Sequence, residues 1–185
     1  QLLDQVALAH TVQPVDIDET WRAAESLNEY VVRLAREKAR ACAANLPAST
    51  ENCVILAADT AGEIAGERLI KPRDFEHAQQ MLRTMSGNAH TVATGICVYQ
   101  PQTGRIRSKV VSSLIHFIAL TDDDIAQYWA TGEPADKAGS YAIQGRAASW
   151  VARIEGSYSG IVGLPLAETV AMLKDFGIAP ISPHN

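Results

Sequence analysis

Residues 53–60 read Cys-Val-Ile-Leu-Ala-Ala-Asp-Thr, an unbroken apolar run that ends on a carboxylate. A continuous run, rather than an alternating one, suits a central strand covered on both faces. The strand is expected over 53–58, stopping at Asp59. Upstream, residues 26–45 read as a strong helix. Ser26 and Glu29 form an S-x-x-E capping box, Leu27, Val31, Leu34 and Cys42 mark an apolar stripe, and Pro47 lies just beyond the end. Downstream, Asp74 caps a helix carrying Phe75, Ala78, Leu82 and Met85, closed by Ser86-Gly87. Helix, buried strand and helix in succession point to an α/β fold.

The rest of the chain extends the alternation. Residues 90–99 and 106–119 read as two strands joined by the turn Pro101-Gln102-Thr103-Gly104. Thr121 caps a short helix with Ile125, Tyr128 and Trp129, stopped by Gly132. Residues 132–146 read as a polar loop holding a strand fragment, 148–154 as a strand, and 156–163 as a glycine-rich loop. Pro165 opens a last helix that Gly177 ends.

A length of 185 residues fits one domain, with room for two lobes. Hydrophobic residues make up 47% and charged residues 20%, a globular composition. The net charge of -5 opposes a general nucleic-acid or membrane-surface binder. No apolar run approaches the ~18–20 residues of a membrane span, and no secretory signal is visible. Cys42, Cys53 and Cys97 are widely spaced and form no C-x-x-C. Free thiols in a reducing compartment, and so a cytoplasmic protein, are the expectation.

The phosphate loop, the G-x-G-x-x-G fingerprint, H-E-x-x-H and G-x-S-x-G are all absent. Asp59 is the sharpest single signal. A carboxylate at a strand end can act as general base or hold a hard cation, or it can simply cap the following turn. Lys38 falls inside the apolar stripe of the first long helix, where a lysine either snorkels to the rim or faces an anion. Lys71, before Pro72, reads alone as a solvated loop lysine. Asp16-Ile17-Asp18-Glu19 offers hard oxygen ligands or a solvent-facing acidic stretch. The 156–160 loop either presents backbone N–H groups to an anion or is a tight turn. The Gln144 carboxamide carries a donor and an acceptor, which complements the N3–H and a carbonyl of uracil or thymine, or it bonds local backbone.

These features occur in an order that resembles the Maf family of nucleoside triphosphate pyrophosphatases, within it the subfamily acting on dTTP and UTP. The matching stretches are DIDE (16–19), YVVRLAREKAR (30–40), Ala58-Asp59-Thr60, Lys71-Pro72 and MLRTMSG (81–87). They continue with TGEPADKAG (131–139), IQG (143–145) and GSYSGIVGLPLAET (156–169). The resemblance covers nearly the whole chain as a single domain over 1–185. It implies a two-lobed α/β structure of the Maf and inosine-triphosphatase-like kind, with a long twisted mixed sheet flanked by helices and an active-site cleft between the lobes.

The implied reaction is hydrolysis between the α- and β-phosphates, giving a nucleoside monophosphate and pyrophosphate. A divalent cation, Mg²⁺ or Mn²⁺, is implied as cofactor, with Asp59 and Glu19 as candidate ligands. Carried over by position, Asp59 matches the catalytic acidic residue. Thr60 and Gln144 match positions tied to base choice, and Glu19, Lys38 and Lys71 match polar residues around substrate and phosphate. The expected partner is the nucleoside triphosphate, with neither nucleic acid nor membrane, in a homodimer. The family also opens with a strand and an S-x-S-P-R-R loop, expected to precede residue 1, and Ala57 stands where a glycine is usual. Two other readings accompany the resemblance: a septum-formation inhibitor acting by partner binding, and a house-cleaning pyrophosphatase for modified nucleotides.

Overall fold

A computed structural model of the chain describes residues 1–47, 50 and 52–180. Its elements in chain order are α1 (Leu2–Gln5), α2 (Leu27–Ala44), β1 (Ile55–Ile64), β2 (Glu67–Leu69), α3 (Phe75–Met85), β3 (Ala89–Gln100) and β4 (Arg105–Phe117). Then come α4 (Asp122–Ala130), three short 3₁₀ turns, β5 (Val151–Glu155), α5 (Tyr158–Val162) and α6 (Leu166–Asp175). The strands form one open sheet in the order β2-β1-β3-β4-β5. β1 with β2 and β4 with β5 pair antiparallel. The expected α/β architecture of a sheet flanked by helices is present, and these pairings are antiparallel where the resemblance implies a mixed sheet. For β1 and β2 the cause is connectivity: the two-residue link Ala65-Gly66 folds the chain straight back on its neighbour.

The helix ends form as their sequence dictates. Ser26 and Glu29 make the reciprocal capping box of α2, Asp74 accepts from the His77 N–H at the start of α3, and Thr121 with Asp124 repeats the box on α4.

Contacts divide the chain into two compact units. The first holds residues 1–60, 94–111 and 163–185, and the second holds 61–93 and 112–162. In the first unit, α2 covers one face of β1 and β3. Its Ala35 and Ala39 pack with Ile55 and Cys97, against which Ala57 also lies. The other face carries Leu56 and Ala58 with Ile96, Val98, Met172 and Leu173, and so meets α6. Gly95 lets α2 come this close, because a Cβ there would fall on the carbonyl of Val31. The second unit is built around Leu82, Met85, Ile115, Phe117, Ile125, Tyr128, Tyr141 and Trp150.

Four sequence expectations change. The segment 156–163, expected as a glycine-rich loop, contains the short helix α5 over Tyr158–Val162. β1 does not stop at Asp59 but continues to Ile64. Past Asp59 the residues alternate in burial and pair with β2, so a partly polar run still makes a strand. The strand fragment expected within 132–146 is instead two 3₁₀ turns, Glu133–Asp136 and Ala138–Ser140, where Gly132 and Gly139 take left-handed backbone. The strand expected over 148–154 begins only at Val151, after a third 3₁₀ turn.

Candidate active site

β1 carries the carboxylate and α2 the cation that meets it. Side chains alternate along a strand, so Asp59 shares the face of Ile55 and Ala57, the face that α2 covers. Lys38 lies one residue before Ala39 and one turn after Leu34, on the edge of that buried helix face. The two meet with Lys38 Nζ donating to Asp59 Oδ1 at 2.7 Å. The same ammonium reaches Glu19 Oε1 at 2.8 Å. Asp59's side chain is 10% exposed, Lys38's 23% and Glu19's 56%. Lys38 thus neither snorkels freely nor waits unpaired; it bridges two carboxylates of its own chain.

The energetics follow from that geometry. Burial pushes the Asp59 carboxyl above its ordinary value, and the Lys38 hydrogen bond and charge oppose the rise without cancelling it. Burial also works against the Lys38 ammonium, yet its bonds to Asp59 and Glu19 hold its pKa above the usual lysine value. The Asp59 rise comes first from burial, with a smaller push from the Glu19 charge, and the Lys38 rise comes from its two carboxylate partners.

Glu19 is held in reach by a fastened loop. Tyr30 Oη donates to the Glu19 carbonyl at 3.0 Å, and Arg33 Nη2 donates to the Thr20 carbonyl at 3.1 Å. Arg33 Nε also grips Glu25 at 2.6 Å, and Trp21 stacks on Tyr30 with ring centroids 3.8 Å apart. Asp18 turns back on the Thr20 N–H at 2.9 Å, which lowers its pKa. Of the acidic stretch, Glu19 alone among the described residues is paired to Lys38. Sequence reasoning missed Arg33 and Glu25 as the fasteners. The available signal was Arg33 with Glu37 four residues on, a helix-surface pair that also forms here.

The remaining predicted residues lie elsewhere. Thr60 follows Asp59 and therefore faces the opposite side of β1, where its hydroxyl bonds that of Thr94 at 2.7 Å. Lys71 is exposed in the segment after β2, within the second unit. Gln144 lies in a turn of the second unit, exposed, just ahead of the third 3₁₀ turn. Where residue 156 leads into α5, Ser113 Oγ takes the Ser157 N–H at 2.9 Å and Ser157 Oγ takes the Gly160 N–H at 3.0 Å, so these two amides are already engaged. Among the described residues no three His, Cys, Asp or Glu side chains gather as a metal cluster, and no helix is long and apolar enough to cross a membrane.

The family model described as "Maf-like protein" matches residues 1–176. The chain belongs to the Maf family. Its similarity to individual members is high. A dTTP/UTP pyrophosphatase of Anaeromyxobacter sp. (strain Fw109-5) is 48% identical over 180 residues, covering 96% of this chain and 84% of that protein. The dTTP/UTP pyrophosphatase of Hahella chejuensis is 45% identical over 168 residues, 91% of this chain and 82% of its own. That of Escherichia coli O157:H7 is 45% identical over 176 residues, 95% and 87% respectively. In this Maf chain, one ammonium from α2 thus joins carboxylates from β1 and from the loop ahead of α2 within the first unit.

Proposed function

We propose that the chain is a nucleoside triphosphate pyrophosphatase that hydrolyses dTTP and UTP to the monophosphate and pyrophosphate. The observation that carries this reading is the Glu19–Lys38–Asp59 cluster, a part-buried carboxylate hydrogen bonded to a cation, in a chain whose relatives are named for that activity. Asp59 is the general base. Its raised pKa makes it a stronger acceptor than a solvated aspartate, while Lys38 keeps enough of it ionised to act. Asp59 takes a proton from water, the oxygen bonds to the α-phosphorus, and the bond to the bridging oxygen breaks as pyrophosphate leaves. Lys38 orients the carboxylate, and exposed Lys71 supplies a cation for the phosphate chain.

Glu19 and Asp59 are hard oxygen donors, the ligand type that Mg²⁺ and Mn²⁺ prefer. Two carboxylates suit an ion that completes its shell with water and phosphate oxygens. Bound there, the ion neutralises developing phosphate charge. Gln144 and Thr60 select the base, and Gln144 reads the uracil or thymine edge through its amide. The compartment is the cytoplasm and the assembly a homodimer. The test is pyrophosphate release across the common nucleoside triphosphates with Mg²⁺ or Mn²⁺. Turnover should be highest on dTTP and UTP; equal turnover on all bases, or none on any, refutes the reading. A chain that binds a septum partner but releases no pyrophosphate would support the alternative.

A further inference from the structure

The turn that carries Gln144 is held from beneath. Tyr128, on α4 and only 4% exposed, donates its hydroxyl to Glu133 Oε1 at 2.7 Å and accepts the Ala142 N–H at 3.0 Å. Glu133 in turn accepts the Arg146 N–H at 3.1 Å through Oε1 and 3.3 Å through Oε2. The two amides so captured flank Gln144, two residues before it and two after it. At the near end, the Tyr141 hydroxyl is hydrogen bonded to His90 Nε2 at 2.7 Å, and its ring meets that of Phe117 edge-on. The Gly145 N–H closes the turn onto the Ala142 carbonyl at 3.0 Å.

The sequence around Glu133 is shaped for this task. Thr131 Oγ1 donates to the Tyr128 carbonyl at 2.7 Å and accepts the Glu133 N–H at 3.2 Å. Gly132 takes left-handed backbone, φ 76°, which turns Glu133 back toward α4. On the facing side, Gly145 leaves the space that the carboxylate occupies, since a Cβ there would fall inside the Glu133 side chain. So Gly132 aims the carboxylate and Gly145 receives it.

The geometry points to Glu133, with Tyr128, as the positioning pair that fixes the 142–146 turn and thereby aims Gln144 at the base. This rests on the proposed role of Gln144 in base selection. Neither residue touches substrate; each acts through the turn. A carboxylate accepting backbone N–H groups is stiffer and stronger than a neutral acceptor, which suits a reader whose amide must sit within a few tenths of an ångström.

The test compares UTP with CTP by kcat/KM in the full chain. Tyr128→Phe keeps the buried ring and removes only the bridging hydroxyl. Glu133→Gln keeps shape and removes the charge. Each should lower the UTP-to-CTP ratio roughly tenfold, mainly through KM for UTP, the scale of one lost hydrogen bond to a charged group. A purely structural role would lower melting temperature and slow both substrates in proportion, leaving the ratio alone. In the Gln144→Ala background the same changes should have no further effect on the ratio. If Gln144→Ala shifts the ratio and the Tyr128 and Glu133 variants do not, the positioning pair is refuted and the Gln144 reading survives. If Gln144→Ala leaves the ratio unchanged, the Gln144 reading is refuted. The positioning pair falls with it, since the turn then has no base reader to aim.

Discussion

Replacing Lys38 by Met keeps the length of the side chain and its packing on α2 while removing the ammonium. Asp59, 10% exposed and paired at 2.7 Å, is then left as a carboxylate with no cation beside it. Removing one partner of a fully buried pair costs about 3–5 kcal/mol. Lys38 is 23% exposed and Glu19 is mostly in water, so solvent recovers part of this. A loss of about 2–3 kcal/mol is expected, most of it at Asp59. In a chain of this length that is a fall of roughly 5–10 °C in Tm. Urea melts at neutral pH on four proteins give the answer: parent, Lys38→Met, Asp59→Asn and the double variant. The double variant should recover most of the loss, because the neutral amide of Asp59→Asn needs no counter-charge, with a coupling energy above ~1 kcal/mol. The sign with pH is also fixed. Burial already raises the folded-state pKa of Asp59, and loss of Lys38 raises it further. The folded variant then binds a proton more tightly than the unfolded chain, so its deficit shrinks as pH falls toward about 4. A Lys38→Met protein as stable as the parent, with coupling under ~0.5 kcal/mol, would refute the pairing as a structural bond.

Asp59→Asn should cut kcat by about 10²-fold or more while the chain stays folded, and near-normal turnover would remove Asp59 from the chemistry. Excess EDTA should abolish pyrophosphate release and added Mg²⁺ or Mn²⁺ should restore it; full activity in the chelator would exclude the cation requirement. Gly95→Ala drives a methyl into the Val31 carbonyl and should cost roughly 1–3 kcal/mol in denaturant melts, against no change if α2 can lift away freely. His90 is held neutral inside the second unit: burial first, and the nearby His116, push its pKa to about 4. A depressed histidine leaves stability intact above about pH 6.5 and drains it as pH falls to 4, by up to ~3 kcal/mol. His90→Gln should flatten that acid slope, and an unchanged slope would place the titration elsewhere.

Helices were the most legible part of the chain. Ser26, Asp74 and Thr121 each sit where a side-chain oxygen can take an N–H at the first turn, and all three cap in the structure. Local chemistry decides such ends, so local sequence reveals them. β1 was legible only to Ala58, because its apolar half is covered on both faces while the half beyond Asp59 gets its pairing from β2, a three-residue strand with no pattern of its own. The 132–146 segment was misread for a related reason. Its backbone is set by two left-handed glycines and by long-range bonds to Tyr128, none of which leaves a period in the sequence.

The site was legible as residue types and not as pairings. Lys38 stands out in an apolar stripe because a charge on a buried face must be compensated, but its own sequence neighbours do not say by what. The compensation comes from Glu19, in the loop ahead of α2, and from Asp59 on β1, which only the fold brings to one ammonium. Once they are there, simple charge counting constrains the proposed chemistry. Two carboxylates and one ammonium leave the cluster with net negative charge, and a triphosphate adds several more negative charges. Lys38 alone cannot satisfy both its carboxylates and the phosphates at once. Either phosphate would draw Lys38 away and leave Asp59 uncompensated, which would strengthen it as the proposed base, or Glu19 would hold a divalent cation that supplies the balancing charge. Both routes need Glu19 to be mobile enough to change partner and Asp59 to stay put, and the burial of the three side chains runs in that order: Glu19 most exposed, Lys38 between, Asp59 nearly enclosed.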